Sequence, residues 1–148
     1  MNWFEAIILA LIEGLTEFLP VSSTGHMILG AAAMGVDNDD FTKLFMIVIQ
    51  LGAILAVFVL YFRRFFQSVN FYLKLIVAFI PAAVLGLLLS EHIDKLLESP
   101  IAVAISLLVG GIILLFVDKW FNKPRIHEMN QMTYWDALKV GLFQCIAM

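Results

Sequence analysis

Two glutamates, Glu13 and Glu17, interrupt an otherwise apolar stretch near the start of the chain. Their spacing places both carboxylates on one face of a helix, where the two charges repel each other. Because a low-dielectric setting adds a solvation cost, we expect at least one of them to be protonated, hydrogen-bonded or bound to a cation. The alternative is that the two glutamates have no functional role and extend to the lipid headgroups. Acidic residues within a membrane, however, usually mark a functional site.

A run of three hydroxyls, Ser22, Ser23 and Thr24, follows Pro20. We expect one of them to cap the helix that comes next, and three exceed what a cap needs. The N-terminus of a helix offers free N–H groups and the positive end of a dipole, and a phosphate would suit both. The run therefore predicts an anion site.

His26 lies just inside the helix that the hydroxyl run begins. A histidine at such a place often has only a structural role, with its hydrogen bonds satisfied. Here two carboxylates and three hydroxyls nearby favour a catalytic role. It could act as nucleophile, general base or general acid, with a carboxylate fixing the orientation of its ring. The attacking group could be His26, any of the three hydroxyls, or water.

The composition places the chain in a membrane. It is 62% hydrophobic and 14% charged, with a mean hydropathy of +0.97, whereas soluble domains are about 45–50% apolar. The net charge of -3 offers no basic patch for a phosphate backbone, which makes nucleic acid an unlikely partner. The first apolar stretch has no preceding Lys or Arg and no small-residue cleavage site, so we expect it to be retained and not to act as a signal peptide.

The apolar segments predict an all-α polytopic integral membrane protein with three transmembrane helices, at about 42–62, 68–90 and 99–121. The arm that follows Pro20, Ser23 to Gly35, is too short to cross a bilayer, since it has only about 13 residues. We therefore predict a re-entrant helical hairpin over 2–35. Its turn, Leu19 to Gly25, should be buried in protein, because irregular backbone at membrane depth is tolerated there or beside water. Gln50, inside an apolar span, should hydrogen-bond between helices or line a cavity.

The loop charges predict the orientation of these helices. One side carries most of the positive charge, at Arg63, Arg64, Lys119, Lys123 and Arg125. The predicted loops Asp37 to Asp40 and Glu91 to Glu98 lie on the other side and are mainly acidic. Because positive loops face the cytoplasm, the hairpin should open toward the extracytoplasmic face.

The stretch from Glu13 to His26, Glu-Gly-Leu-Thr-Glu-Phe-Leu-Pro-Val-Ser-Ser-Thr-Gly-His, resembles the first signature of the bacterial undecaprenyl-diphosphate phosphatase family, the bacitracin-resistance proteins. Ile49 to Val57 is also similar to that family. The resemblance implies a hydrolase of the bacterial inner (plasma) membrane. Its substrate would be a polyprenyl diphosphate, hydrolysed to the monophosphate to recycle the lipid carrier for cell-wall synthesis and confer bacitracin resistance.

The resemblance also implies roles for single residues. Glu13, Glu17 and His26 would be catalytic, with the two glutamates associated with a metal. Ser22, Ser23 and Thr24 would bind the substrate phosphate.

A second signature of that family, of the type Pro-Gly-x-Ser-Arg-Ser, does not occur in this chain. However, Trp135 to Gln144 parallels Phe4 to Glu13, with Asp136 aligned with Glu5. The parallel predicts a first membrane repeat over 1–132 and the truncated start of an inverted second repeat over 133–148.

Positive charge is missing from the hairpin, since no Lys or Arg occurs between Glu5 and Met34. A diphosphate beside two glutamates needs such charge. A divalent cation, Mg²⁺ or Ca²⁺, could supply it, as could an arginine from the second signature. By itself the chain could therefore be an inactive fragment, and a homodimer is one candidate for its assembly. A different class of function, half of an ion-coupled transporter or lipid flippase, also fits buried acids in an inverted repeat.

Overall fold

The computed structural model describes residues 1–66, 68–120 and 131–146, which form helices and no strand. The helices are α1 (Trp3–Thr16), α2 (Ser23–Met34), α3 (Asp40–Leu60), α4 (Val69–Leu97), α5 (Pro100–Trp120) and α6 (Tyr134–Ile146), with a 3₁₀ turn at Phe62–Phe65 between α3 and α4. This confirms the all-α fold. Lys123 and Arg125, part of the predicted positive side, lie outside the described residues, as does the predicted end of the third span at 121.

Within the described ranges, three helices are long and apolar enough to cross a membrane, namely α3, α4 and the part of α5 from Pro100 to Val117. They match the predicted spans. In each, almost none of the most apolar stretch is buried within the chain, so its side chains are available to lipid. The predicted loop at Glu91 to Glu98 is wrong, because α4 continues to Leu97. The charges there ended the apolar stretch but not the helix, since no glycine or proline follows before Pro100.

One compact unit consists of Met1–Phe62 and Lys95–Asp118. Within it, α1 and α2 form a helical hairpin whose arms pack on each other and on α3. Leu9 of α1 and Met27 and Ala31 of α2 are fully buried and form the centre of this packing. The two predicted arms are thus confirmed as a hairpin, with α2 only 12 residues long.

Local signals fix the ends of the hairpin helices. Asn2 caps α1, accepting from the backbone N–H of Glu5, while the Glu5 carboxylate accepts from the backbone N–H of Asn2. At the other end of the hairpin, α2 stops at Gly35, whose φ of 71° is left-handed. The N-terminal ammonium of Met1 lies 3.2 Å from the Asp39 carboxylate, at the start of α3.

The second compact unit consists of Arg63–Asp94 and the described part of 119–148. In it α6 runs so close to α4 that a Cβ on Gly141 would collide with the backbone carbonyl of Ala78. The Tyr134 hydroxyl donates to Asn70 Oδ1 at 2.5 Å. An apolar groove of about 820 Å³ lies at the close approach of Gly141 to Ala78, and Phe79, Val140 and Gln144 are among the other residues that line it.

Candidate active site

Ser22 immediately precedes α2 and caps it. Its Oγ accepts a hydrogen bond from the backbone N–H of Gly25 at 3.3 Å, which confirms that one hydroxyl of the run serves as a cap. To do so Ser22 takes a φ of 59°, a region that residues with a side chain rarely adopt. Such a backbone costs on the order of 1–3 kcal/mol and persists where the surroundings impose it, often at functional sites.

Ser23 connects the two arms of the hairpin at its turn. The Ser23 hydroxyl donates a hydrogen bond to Oε2 of Glu17, and the serine is only 8% exposed. Glu17 is half-buried just after the end of α1. The expectation that at least one glutamate is hydrogen-bonded is therefore confirmed. A hydroxyl held on a carboxylate is also the arrangement of a nucleophile with its base.

Glu13 lies one helical turn before Glu17 and is only 2% exposed. Neither of its carboxylate oxygens has a hydrogen-bond partner among the residues that the structure describes. A buried charge without a partner is expensive, so this carboxylate is poised to accept a proton, a donor or a cation. Among those same residues, no three His, Cys, Asp or Glu side chains come close enough together to hold a metal ion by themselves.

The half-buried ring of His26 is held by backbone, since its Nδ1 lies 2.9 Å from the carbonyl oxygen of Ser22. A carbonyl oxygen only accepts, so Nδ1 carries a proton and donates it in this contact. The expectation that a carboxylate orients this ring is wrong. A carbonyl four residues earlier is within reach because His26 is in the first turn of α2, where carbonyl groups of the capping segment are near.

Thr24 is joined to the span α3. The side-chain Nε2 of Gln50 donates to Thr24 Oγ1 at 2.6 Å, which confirms the predicted interhelical role of Gln50. No other polar side chain occurs between Lys43 and Tyr61. A single polar residue in so apolar a segment is the feature of the sequence that indicated a specific contact. The bond brings Gln50 into the candidate site.

The turn is less buried than predicted. Leu19, Pro20, Ser22 and Thr24 are exposed, and only Ser23 and Gly25 in the hydroxyl segment are buried. From Ser22 to Gly25, exposed and buried residues alternate along the chain. The exposure of Ser22 and Thr24 makes these two residues accessible to a ligand.

Comparisons with known proteins identify the family of the chain. The family model described as bacitracin resistance protein BacA matches residues 6–148. Relatives named undecaprenyl-diphosphatase from Flavobacterium johnsoniae and Flavobacterium psychrophilum are each 68% identical over 100% of this chain and 56% of their own length. One from Bdellovibrio bacteriovorus is 47% identical over 100% of this chain and 57% of its own length.

The chain thus spans little more than half the length of these curated relatives. The family match nevertheless covers nearly all of it, including every residue of the hairpin site. The chain belongs to the bacitracin resistance protein BacA family.

Proposed function

We propose that this chain supplies half of the active site of a membrane phosphatase that hydrolyses a polyprenyl diphosphate. Undecaprenyl diphosphate is the substrate that its relatives' names indicate. The observation that carries the proposal is the hydrogen bond from Ser23 to Glu17 at the N-terminus of α2. One helical turn before Glu17 is the buried Glu13, whose carboxylate has no hydrogen-bond partner in the described part of the chain. The products are the lipid monophosphate and inorganic phosphate. The reaction would return the lipid carrier to cell-wall synthesis and confer bacitracin resistance.

In the proposed reaction Ser23 Oγ attacks the terminal phosphorus while its proton passes to Glu17. The bond from that phosphorus to the bridging oxygen breaks, and the lipid monophosphate leaves. Water then attacks the phosphoserine, and the leaving Ser23 oxygen regains its proton from Glu17. His26 Nε2 would accept the proton of that water, since the contact with Ser22 uses the other ring nitrogen, Nδ1.

A divalent cation fits the two glutamates. The unpaired oxygens of Glu13 and the second oxygen of Glu17 are hard ligands of the kind that Mg²⁺ and Ca²⁺ prefer. Mg²⁺ commonly binds one or two carboxylates and takes its other ligands from phosphate oxygens and water, so three protein ligands are not needed. When bound, the cation would offset the repulsion between carboxylates and diphosphate.

We also propose that α6 opens a second, inverted repeat, so that 1–132 forms the first repeat and 133–148 the start of its partner. In support, Thr133 and Asp136 form a capping box in the same register as that of Asn2 and Glu5. Thr133 Oγ1 accepts from the backbone N–H of Asp136 at 3.2 Å, and Asp136 accepts from the backbone N–H of Thr133 at 3.1 Å. The second repeat would deliver the positive charge that the hairpin lacks.

The charge asymmetry of the loops supports an inner-membrane location with the site facing out of the cytoplasm. The hairpin would then enter the bilayer from that face as a re-entrant element, since α2, with 12 residues, is about 18 Å long.

The test is phosphate release from a polyprenyl diphosphate, with Mg²⁺ present, by a purified protein that continues past Met148. We expect activity in the unmodified protein and a loss of at least about a hundredfold in a variant carrying both Glu13→Gln and Glu17→Gln. Glu5→Gln is the matched control, because Glu5 only caps α1. An inactive unmodified protein, or full activity in the double variant, would contradict the proposal.

A further inference from the structure

We propose that Gln50 is a positioning residue of the phosphate site, which acts by orienting the Thr24 hydroxyl. The inference rests on the proposed function and extends it to the span α3. Gln50 Nε2 donates to Thr24 Oγ1 at 2.6 Å, and the two residues are 26 positions apart in the chain.

The direction of this hydrogen bond determines what Thr24 can do. The amide nitrogen of glutamine is only a donor, so it occupies a lone pair of the threonine oxygen. The Thr24 hydrogen is then turned away from Gln50 and is available to donate to another acceptor. Because Thr24 is exposed at the second position of α2, next to Ser23, a substrate phosphate oxygen at the helix N-terminus is the acceptor that fits.

The start of α2 is held from a second side as well. A Cβ on Gly25 would lie 3.1–3.3 Å from the Leu107 side chain of α5, so this span packs tightly against the residue after Thr24. Two spans therefore fix the position of the hydroxyl run, one by apolar packing and one by a polar contact. Of these two contacts, only the one with Gln50 determines the direction of a hydroxyl, that of Thr24. A role in positioning Thr24 can therefore be distinguished from a role in holding the helix in place.

The location of Gln50 in an apolar span also supports a positioning role. It is the only polar side chain between Lys43 and Tyr61 of an apolar membrane span, where methionine or leucine would favour insertion into lipid. An amide at such a place is costly unless it makes a specific contact, and the contact that the structure shows is with the candidate site.

The test is a double-mutant cycle in the protein that continues past Met148. The variants are Gln50→Met, Thr24→Val and the two combined, with Leu51→Met as the control because Leu51 is 55% exposed on the same helix. The measurements are kcat and KM for phosphate release from a short-chain polyprenyl diphosphate, and the thermal unfolding midpoint in detergent.

We expect each single variant to lower kcat/KM about tenfold, as for one hydrogen bond. The combined variant should be no worse than Thr24→Val alone, since Gln50 acts only through Thr24.

Thr24→Ser, which keeps the hydroxyl, should recover most of the activity that Thr24→Val loses, and Gln50→Met should unfold within a few degrees of the unmodified protein. If Gln50→Met does not fold, Gln50→Asn, whose amide is one methylene short of Thr24, is used for the same comparison. Losses that multiply in the combined variant, or full activity in Gln50→Met, would overturn the positioning role and leave the phosphatase proposal intact. An unmodified protein that releases no phosphate would overturn both.

Discussion

Ser23 donates its hydroxyl hydrogen to the Glu17 carboxylate across the hairpin turn, joining the first residue of α2 to the C-cap residue of α1. The bond satisfies one oxygen of Glu17 and leaves the buried Glu13, one helical turn earlier, without a partner among the described residues. Two carboxylates on one helix face are thus in different environments. That difference suits two roles, with one carboxylate as the base of a nucleophile and the other as a ligand for positive charge.

The first prediction concerns Ser23. In the protein that continues past Met148, Ser23→Ala should lower kcat by at least about a hundredfold, because the hydroxyl that Glu17 activates is gone. A rapid quench with labelled substrate should trap a phosphorylated protein in the unmodified form and not in the variant. Thr16→Val is the matched control, since the Thr16 hydroxyl donates within its own helix to the Ile12 carbonyl. Equal phosphate release by Ser23→Ala would contradict a serine nucleophile.

The second prediction is a trade between stability and activity at Glu13. Replacing a buried charge that lacks a partner by a neutral amide should raise the free energy of unfolding by about 1–3 kcal/mol when no divalent cation is present. Glu13→Gln should at the same time lower phosphatase activity by tenfold or more. Thermal unfolding in detergent with chelator, alongside the activity assay, measures both.

The same variant tests the cation. Millimolar Mg²⁺ or Ca²⁺ should raise the unfolding midpoint of the unmodified protein by preferential binding to the folded state, and this gain should disappear in Glu13→Gln. Glu5→Gln, at an exposed cap, should keep the gain. A cation response that is the same in all three proteins would place the bound ion elsewhere.

The sequence predicted the hairpin well because local rules determine it. Pro20 breaks the apolar pattern, a hydroxyl caps α2, and Gly35 supplies the left-handed residue that ends it. The extent of α4 to Leu97 was not predicted, because hydropathy reports where the membrane core ends and not where a helix ends. The partner of His26 and the pairing of Ser23 with Glu17 depend on the path of the turn, which residue spacing does not determine.

The third prediction concerns the contact of α4 with α6. Gly141→Ala should destabilise the protein by about 1–3 kcal/mol, since the added methyl would meet the backbone carbonyl of Ala78, which cannot rotate away. Gly110→Ala in α5 is the matched control, because an added Cβ there meets nothing within 4 Å. That control should be neutral or stabilising by up to about 1 kcal/mol through helix propensity. Thermal unfolding of both variants in detergent gives the comparison, and equal midpoints would contradict the close approach.

The last prediction is a pH dependence at the start of α3. The Thr42 hydroxyl, which donates to Asp39 at 2.8 Å, and the Met1 ammonium at 3.2 Å hold the pKa of the Asp39 carboxyl below its ordinary value of 3.8. A lowered pKa in the folded state means that the stability from these contacts is fully present above the ordinary value. It is lost as the pH falls through the lowered pKa.

Asp39→Asn keeps a side-chain acceptor for the backbone N–H of Phe41 and removes the charge, so it isolates this contribution. The unmodified protein should unfold at a higher temperature than Asp39→Asn at about pH 6, and the difference should shrink as the pH is lowered toward about 2. High salt should shrink it as well, because the ion pair is partly exposed. A difference between the two proteins that does not change with pH would show that the Asp39 charge makes no contribution at this end of the hairpin.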